Sequence, residues 1–233
     1  MSNRTHRPRI LIVDDEPGVI TTLKVALEAN GFETLTALNG NEALKIMDKE
    51  LADLMILDII MPEMDGFEVC RRVRQWSDIP IIMLSARQGE EDKVQCLNLG
   101  SDDYISKPFS IRELIARVKA VLRRTTGTTP SEPTFTCERM TIDFTKRRVT
   151  LAGNEVRLTP TEYSLLQELV LNADKVLTHT QLLRIVWGPE YGEEKEYLRV
   201  FIQRLRSKLE HNPSQPKHII TLPGIGYKFQ SPE

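Results

Sequence analysis

Along the first half of the chain, short unbroken apolar runs alternate with longer stretches whose apolar residues recur every three or four positions. The runs fall at residues 10–13, 34–36, 54–57, 81–84 and 103–106, the periodic stretches at 18–29, 40–49, 66–75, 90–99 and 111–124. A strand with no polar alternation needs cover on both faces. Five such strands alternating with five helices therefore predict an α/β fold, a doubly wound parallel sheet of flavodoxin-like topology. Gly31 and Gly100 stand just past two of the predicted helices, where left-handed C-caps belong.

Beyond residue 124 the pattern changes. "TTGTTPSEPTFT", residues 125–136, is rich in Thr, Pro, Gly and Ser and reads as a linker. "RMTIDF", "RVTL" and "EVRL" then alternate apolar with polar residues, as small antiparallel strands do. "TPTEYSLLQELVLN" opens on a capping box, with Thr159 as N-cap, Pro160 at N1 and Glu162 at N3. "THTQLLRIVWG" repeats the device with Thr178, Gln181 and a closing Gly188, and a longer helix follows over 194–210. "HIITLPGIGYKF" ends the pattern as two strands around a Pro-Gly turn. Strands, three helices and a terminal hairpin compose a winged helix-turn-helix. The expected organisation is thus a domain over 1–124, a linker over 125–134 and a second domain over 135–233.

The first domain ends its strands in polar groups: Asp14 and Asp15, Asp58, Ser85 and Lys107. In a sheet of strand order 2-1-3-4-5 those four ends are consecutive neighbours, about 4.8 Å apart, and converge on one pocket. Carboxylates crowded together call for a cation or a proton. Oxygen donors without His or Cys favour Mg²⁺. Mg²⁺ retains positions for phosphate, Lys107 adds a point charge for phosphate oxygens, and Ser85 adds a hydroxyl donor. Asp58 is then the nucleophile, able to carry phosphate as an acyl phosphate.

Net charge changes little in this picture. The chain has 31 Lys and Arg against 33 Asp and Glu, a formal net of −2. Through Arg124 there are 17 basic and 20 acidic residues, and after it 14 and 13. Three cysteines without a C-x-x-C pair argue against a disulfide framework or a zinc site and fit a reducing cytoplasm. The apolar run after the basic start stops at Asp14, too soon for a signal peptide, and no stretch approaches the ~20 apolar residues of a membrane span.

"LIVDDEP", "LMILDIIMPEMDG", "IIMLSA" and "DDYISKPF" resemble the receiver domain of two-component response regulators. The resemblance implies that a sensor histidine kinase phosphorylates Asp58, and that Asp14, Asp15, Asp58 and the carbonyl of Ile60 hold Mg²⁺. It implies catalytic roles for Ser85 and Lys107 and a switch pair in Ser85 and Tyr104, the ring turning inward as the hydroxyl moves toward phosphate. It also implies a cis bond at Lys107-Pro108, and Ile60 and Arg87 flank the site and tune the phosphate lifetime. A magnesium-dependent aspartyl phosphatase fits less well, since the position two beyond the nucleophile, where such enzymes need a second acid, is Ile60. A flavin site would not tolerate the three carboxylates.

In the helix over 194–210, Leu198, Ile202, Leu205 and Leu209 form one apolar stripe. Arg199, Gln203 and Arg206 follow the opposite side, with Arg204 and Lys208 alongside. Arg and Gln on one helix face suit base edges in the major groove, with neighbouring cations on phosphates. "LTPTEYSLLQELV", "VLTHTQLLRIVWG", "YLRVFIQRLRSKLE" and "GIGYKF" resemble the OmpR/PhoB class of effector domain. That implies double-stranded DNA contacts from Gln203, Arg204, Arg206 and Lys208, with Thr221 and residues 223–227 in the wing. Pro223 stands where relatives carry a minor-groove Arg, which leaves Lys228 a phosphate contact. "RQWSDIPIIMLSAR" and "YLRVFIQRLRSKLE" are most similar to the KdpE branch, which controls potassium uptake.

One winged helix of near-zero charge makes few phosphate contacts, so dimerisation on tandem direct repeats would supply affinity. The resemblance implies a homodimer formed on phosphorylation across the face made by the last strand and last two helices of the first domain, through Lys93, Val94, Leu97, Asp102, Asp103, Glu113, Arg117 and Arg124, and RNA polymerase as the partner in transcription.

Overall fold

The computed structural model describes residues 7–86, 89–125, 133–192 and 194–231. Two compact units divide the chain, residues 1–122 and 123–233. Most of the expected linker, and Arg87, lie outside the described residues.

In the first unit, β1 (Arg9–Val13), β2 (Glu33–Ala37), β3 (Leu54–Asp58), β4 (Ile81–Ser85) and β5 (Asp103–Ser106) form one sheet of order β2-β1-β3-β4-β5. Every pair is parallel. The connections are α1 (Pro17–Ala29), α2 (Gly40–Lys49), α3 (Gly66–Val73) and α4 (Glu90–Asn98), and α5 (Ile111–Thr125) follows β5, its residues from Arg123 onward belonging to the second unit. β3 and β4 are buried at every position, which is why their sequences carry no alternation. Ile10, Ile12, Leu54, Ile56, Ile82 and Leu84 of the central strands pack with Leu23 and Leu27 of α1 and Leu114, Val118 and Val121 of α5. Asn39 and Asp65 cap α2 and α3 by accepting from the amides of Glu42 and Glu68.

Gly66 does more than begin α3. Its amide donates to the carbonyl of Ile59 at 2.9 Å. A Cβ placed there would collide with the carbonyl oxygen of Asp58 and the Cα of Ile59. The missing side chain lets α3 start hard against the chain that leaves β3.

In the second unit, β6 (Thr134–Cys137), β7 (Met140–Asp143), β8 (Arg148–Leu151) and β9 (Asn154–Val156) make an antiparallel sheet in sequence order. Then come α6 (Pro160–Leu171), β10 (Leu177–Thr178), α7 (His179–Val186), α8 (Lys195–Leu209), β11 (Ile219–Leu222) and β12 (Gly226–Phe229). These last three strands form a sheet in the order β10-β12-β11. Both expected capping boxes are present, on α6 and α7. β6 begins inside the stretch expected as linker, and β10, only two residues long, is too short to carry a readable period. The apolar stripe of α8 is buried, and Trp187 packs edge-on against Phe201 and Tyr197, with ring centroids 5.0 and 6.5 Å away. The turn between β11 and β12 places Gly224 at φ 74°, a left-handed conformation that glycine adopts without strain.

Replacing Gly66 with Ala should cost about 1–3 kcal/mol, the usual penalty for overfilling a tight contact. Denaturant unfolding of the wild-type and G66A chains would measure it.

Candidate functional site

The sheet register delivers four strand ends side by side. Val13 pairs with Leu57 and Asp58 with Leu84, so Asp14 and Asp58 leave adjacent strands at nearly one level. One step further out, Ser85 pairs with Ser106. The chain then turns at Lys107, whose amide donates to the Ser85 carbonyl at 2.6 Å. The Lys107-Pro108 bond is cis.

Asp14, Asp15 and Asp58 bring carboxylate oxygens within 4.8 Å of one another. Asp14 and Asp58 are buried, so water screens their mutual repulsion poorly. Lys107 offsets part of it: its Nζ lies 2.9 Å from Asp14 Oδ2 and 3.0 Å from Asp58 Oδ1. The other Asp14 oxygen accepts from the Glu16 amide at 2.9 Å. Burial raises the pKa of Asp58 above the ordinary aspartate value; the hydrogen bond and charge of Lys107 oppose that rise and the Asp14 charge adds to it. Burial pulls Lys107 down, but its hydrogen bonds to Asp14 and Asp58 and their charges outweigh it and leave the ammonium above its ordinary value. Three carboxylates against one ammonium leave an excess of negative charge. With oxygen donors alone, that excess fits a hard divalent cation of the Mg²⁺ type.

Ser85 is fully buried at the end of β4. Tyr104 is only 2% exposed, and the Lys93 ammonium sits 5.9 Å from its ring centroid. The ring thus already occupies an inward position. Ile60 is 53% exposed beside the pocket.

In the second unit, α8 presents Arg199, whose side chain is 73% exposed, and Gln203 to solvent. Arg206 lies partly buried and donates to the Ile219 carbonyl at 2.6 Å and to the Thr221 hydroxyl at 2.7 Å. Thr221 and the wing turn Pro223–Gly224–Ile225 are exposed, and Lys228 is half-buried.

Comparison with known proteins agrees with this geometry in both units. Residues 10–119 match the family of response regulator receiver domains, and residues 153–229 match the C-terminal domain of transcriptional regulatory proteins. The KDP operon transcriptional regulatory protein KdpE of Escherichia coli K12 is 45% identical over 220 residues, covering 94% of this chain and 98% of that protein. Transcriptional regulatory protein KdpE of Mycobacterium tuberculosis H37Rv is 41% identical over 223 residues, covering 95% and 99%. Among solved structures, the response regulator DrrB of Thermotoga maritima, described as an OmpR/PhoB homolog, matches with TM-score 0.53 and 29% identity, covering 97% of this chain and 100% of that one. The chain is a response regulator of the OmpR/PhoB type. Its receiver is followed by a DNA-binding transcriptional domain, a combination that implies a histidine kinase as partner, and its relatives are transcriptional regulators. Among the described residues, no helix is long and apolar enough to cross a membrane.

Several charges expected on the outer surfaces of this regulator are satisfied inside their own unit. On the expected dimer face, Leu97 is buried on the inner side of α4. Asp102 is buried, pairs with Arg74 at 3.0 Å and accepts from the Ile81 amide at 3.1 Å. Asp103 is buried, accepts from its neighbour Tyr104's amide at 2.8 Å and pairs with Arg117 at 3.1 Å. Arg124, within the second unit, is buried and donates to the Val186 carbonyl at 2.8 Å and the Thr161 hydroxyl at 3.1 Å. These four are therefore removed from the set of free surface contacts, because each already has packing or polar partners at short range. Lys93, Val94, Glu113 and Arg117 keep solvent-accessible parts.

A similar correction applies on α8. Arg204 is 13% exposed and pairs with the buried Glu162 at 2.7 Å. Lys208 reaches Glu162 at 2.6 Å and the Arg157 carbonyl at 2.9 Å. Both point away from the face that carries Arg199. The local sequence around Glu162 marks it only as a cap. The signal for its second role is two cations four residues apart on a later helix, which no local pattern ties to it.

The raised pKa of Asp58 fixes the sign of a pH effect. Ionising it costs the folded state stability, a cost absent below the ordinary aspartate range and complete once pH exceeds the raised value. In metal-free buffer near pH 8, Asp58→Asn should therefore melt above wild type, and the gap should close as pH falls toward that range. Calorimetric melts across pH would check both sign and window.

Proposed function

We propose that this regulator takes a phosphoryl group on Asp58 from a sensor histidine kinase and, so modified, pairs with a second copy to bind tandem direct repeats of double-stranded DNA. The observation that carries the reading is the convergence of three carboxylates and one lysine at four adjacent strand ends. A carboxylate oxygen of Asp58 attacks phosphorus, the bond from phosphorus to the kinase imidazole breaks, and an acyl phosphate remains. Asp14, Asp15 and Asp58, with the carbonyl of Ile60, would hold Mg²⁺, which supplies positive charge to the phosphoryl oxygens. Lys107, charged at neutral pH, binds a phosphoryl oxygen in place of its bond to Asp58. The Ser85 hydroxyl donates to another. The exposed Ile60 beside the pocket governs how readily water reaches the acyl phosphate, and so its lifetime; the receiver's own dephosphorylation is the only hydrolysis proposed.

Phosphate held by Ser85 favours the form with Tyr104 inside, in which the accessible part of the α4–β5–α5 face meets its copy through Lys93, Val94, Glu113 and Arg117. On DNA, Arg199 and Gln203 reach base edges in the major groove, while Arg206, Thr221 and Lys228 serve the backbone near the wing. Similarity to the KdpE branch, which controls potassium uptake, supports potassium-uptake genes as targets, transcribed by RNA polymerase in the cytoplasm, and the Escherichia coli relative is named as the regulator of the KDP operon.

Incubation with a small phosphodonor and Mg²⁺ should add one phosphate to wild type and none to Asp58→Asn. The modified wild type should elute as a dimer and shift a duplex recovered by selection from random DNA. Equal dimerisation and equal DNA binding by the two proteins would overturn the coupling. Arg199→Ala should lose about 1–3 kcal/mol of discrimination on that duplex, read from titrations against a scrambled sequence.

A further inference from the structure

Glu162 is fully buried, yet it lies at the start of α6, a position usually left to a solvated cap. One carboxylate oxygen accepts from the Thr159 amide at 2.9 Å and also faces Lys208 Nζ at 2.6 Å, and the other faces Arg204 Nε at 2.7 Å. The Arg204 guanidinium additionally lies 4.7 Å from the Phe201 ring centroid. A single anion thus engages two of the four basic residues between Arg199 and Lys208.

Each residue turns an α-helix by about 100°. Around the axis of α8, Arg204 therefore stands about 140° from Arg199, and Lys208 about half a turn away. With Arg204 and Lys208 held against α6, the solvent-facing arc is left to Arg199, Gln203 and Ser207, all three exposed. Arg206, on the Arg199 side, is tied to β11 through Ile219 and Thr221. The helix is gripped on two flanks and cannot roll without breaking a buried ion pair.

We infer that Glu162 is a positioning residue for DNA recognition: it withdraws Arg204 and Lys208 from phosphate contact and, through them, sets the rotation at which Arg199 and Gln203 meet the groove. This rests on the reading of α8 as the DNA-facing helix. It makes α8 a low-charge reader, so that sequence discrimination is large relative to unspecific attraction.

The test is the salt dependence of binding to a mixed-sequence duplex, where each phosphate contact contributes about 0.9 to the slope of log affinity against log salt. Full-length Lys208→Met should keep the wild-type slope, because its ammonium touches no phosphate. Glu162→Gln should steepen the slope by about 0.9 or more as the two cations are released, and should lower discrimination between the selected duplex and a scrambled one. A variant that is merely unstable would lose affinity without steepening the slope. Should Glu162→Gln fail to fold, Lys208→Met decides alone: a slope shallower by about 0.9 overturns the inference. An unchanged slope in Glu162→Gln would also overturn it. Arg199→Ala separates the two levels. If it leaves binding untouched, α8 is not the reading helix and both readings fall; if it weakens binding while Lys208→Met flattens the slope, only the role of Glu162 falls.

Discussion

Repulsion among three carboxylates, relieved in part by one ammonium, is the constraint around which the receiver is arranged. A parallel sheet brings successive strand ends within about 4.8 Å, so Asp14 and Asp58 have no room to move apart. Lys107 reaches both because the Lys107 amide is bonded to the Ser85 carbonyl and the chain turns there. Gly66 closes the arrangement from behind, since α3 begins in contact with the backbone that carries Asp58. A pocket built this way fits a hard cation, and on the proposed function its lysine passes from Asp58 to a phosphoryl oxygen.

Charge pairing also decides which surfaces are available for partners. Asp102 with Arg74, Asp103 with Arg117, and Glu162 with Arg204 and Lys208 are pairs in which at least one member is buried. Removing one partner from such a pair strands the other charge in a poor solvent for it, at a cost of about 3–5 kcal/mol. The buried members of these pairs therefore act as anchors for their own elements, and on the proposed function intermolecular contacts fall to side chains that retain water: Lys93, Val94, Glu113 and the accessible part of Arg117 on one unit, Arg199 and Gln203 on the other. On the proposed function, the second unit then meets DNA with little excess charge, and binding of two copies supplies affinity.

Much is legible from the chain alone. Continuous apolar runs set against helical periods specify a doubly covered sheet, and the positions of the polar strand ends fit a single strand order. The pocket residues are readable for the same reason: each sits at the end of a strand, and the topology makes those ends neighbours. Capping boxes at Thr159–Glu162 and Thr178–Gln181 mark helix starts because a cap is a local hydrogen-bond pattern.

The pairing of charges distant along the chain is decided only by the tertiary structure. Asp102 and Arg74 are 28 residues apart, and Lys208 and Glu162 are 46. Sequence periodicity places a charge on a helix side but does not reveal which neighbouring element covers that side. Hence Arg204 and Lys208 resemble DNA contacts, and Asp102, Asp103 and Arg124 interface charges, until packing supplies their partners. The close approach of Gly66 to the Asp58 carbonyl is of the same kind. Local pattern records propensity and burial, whereas the identity of a partner is settled only when the elements dock.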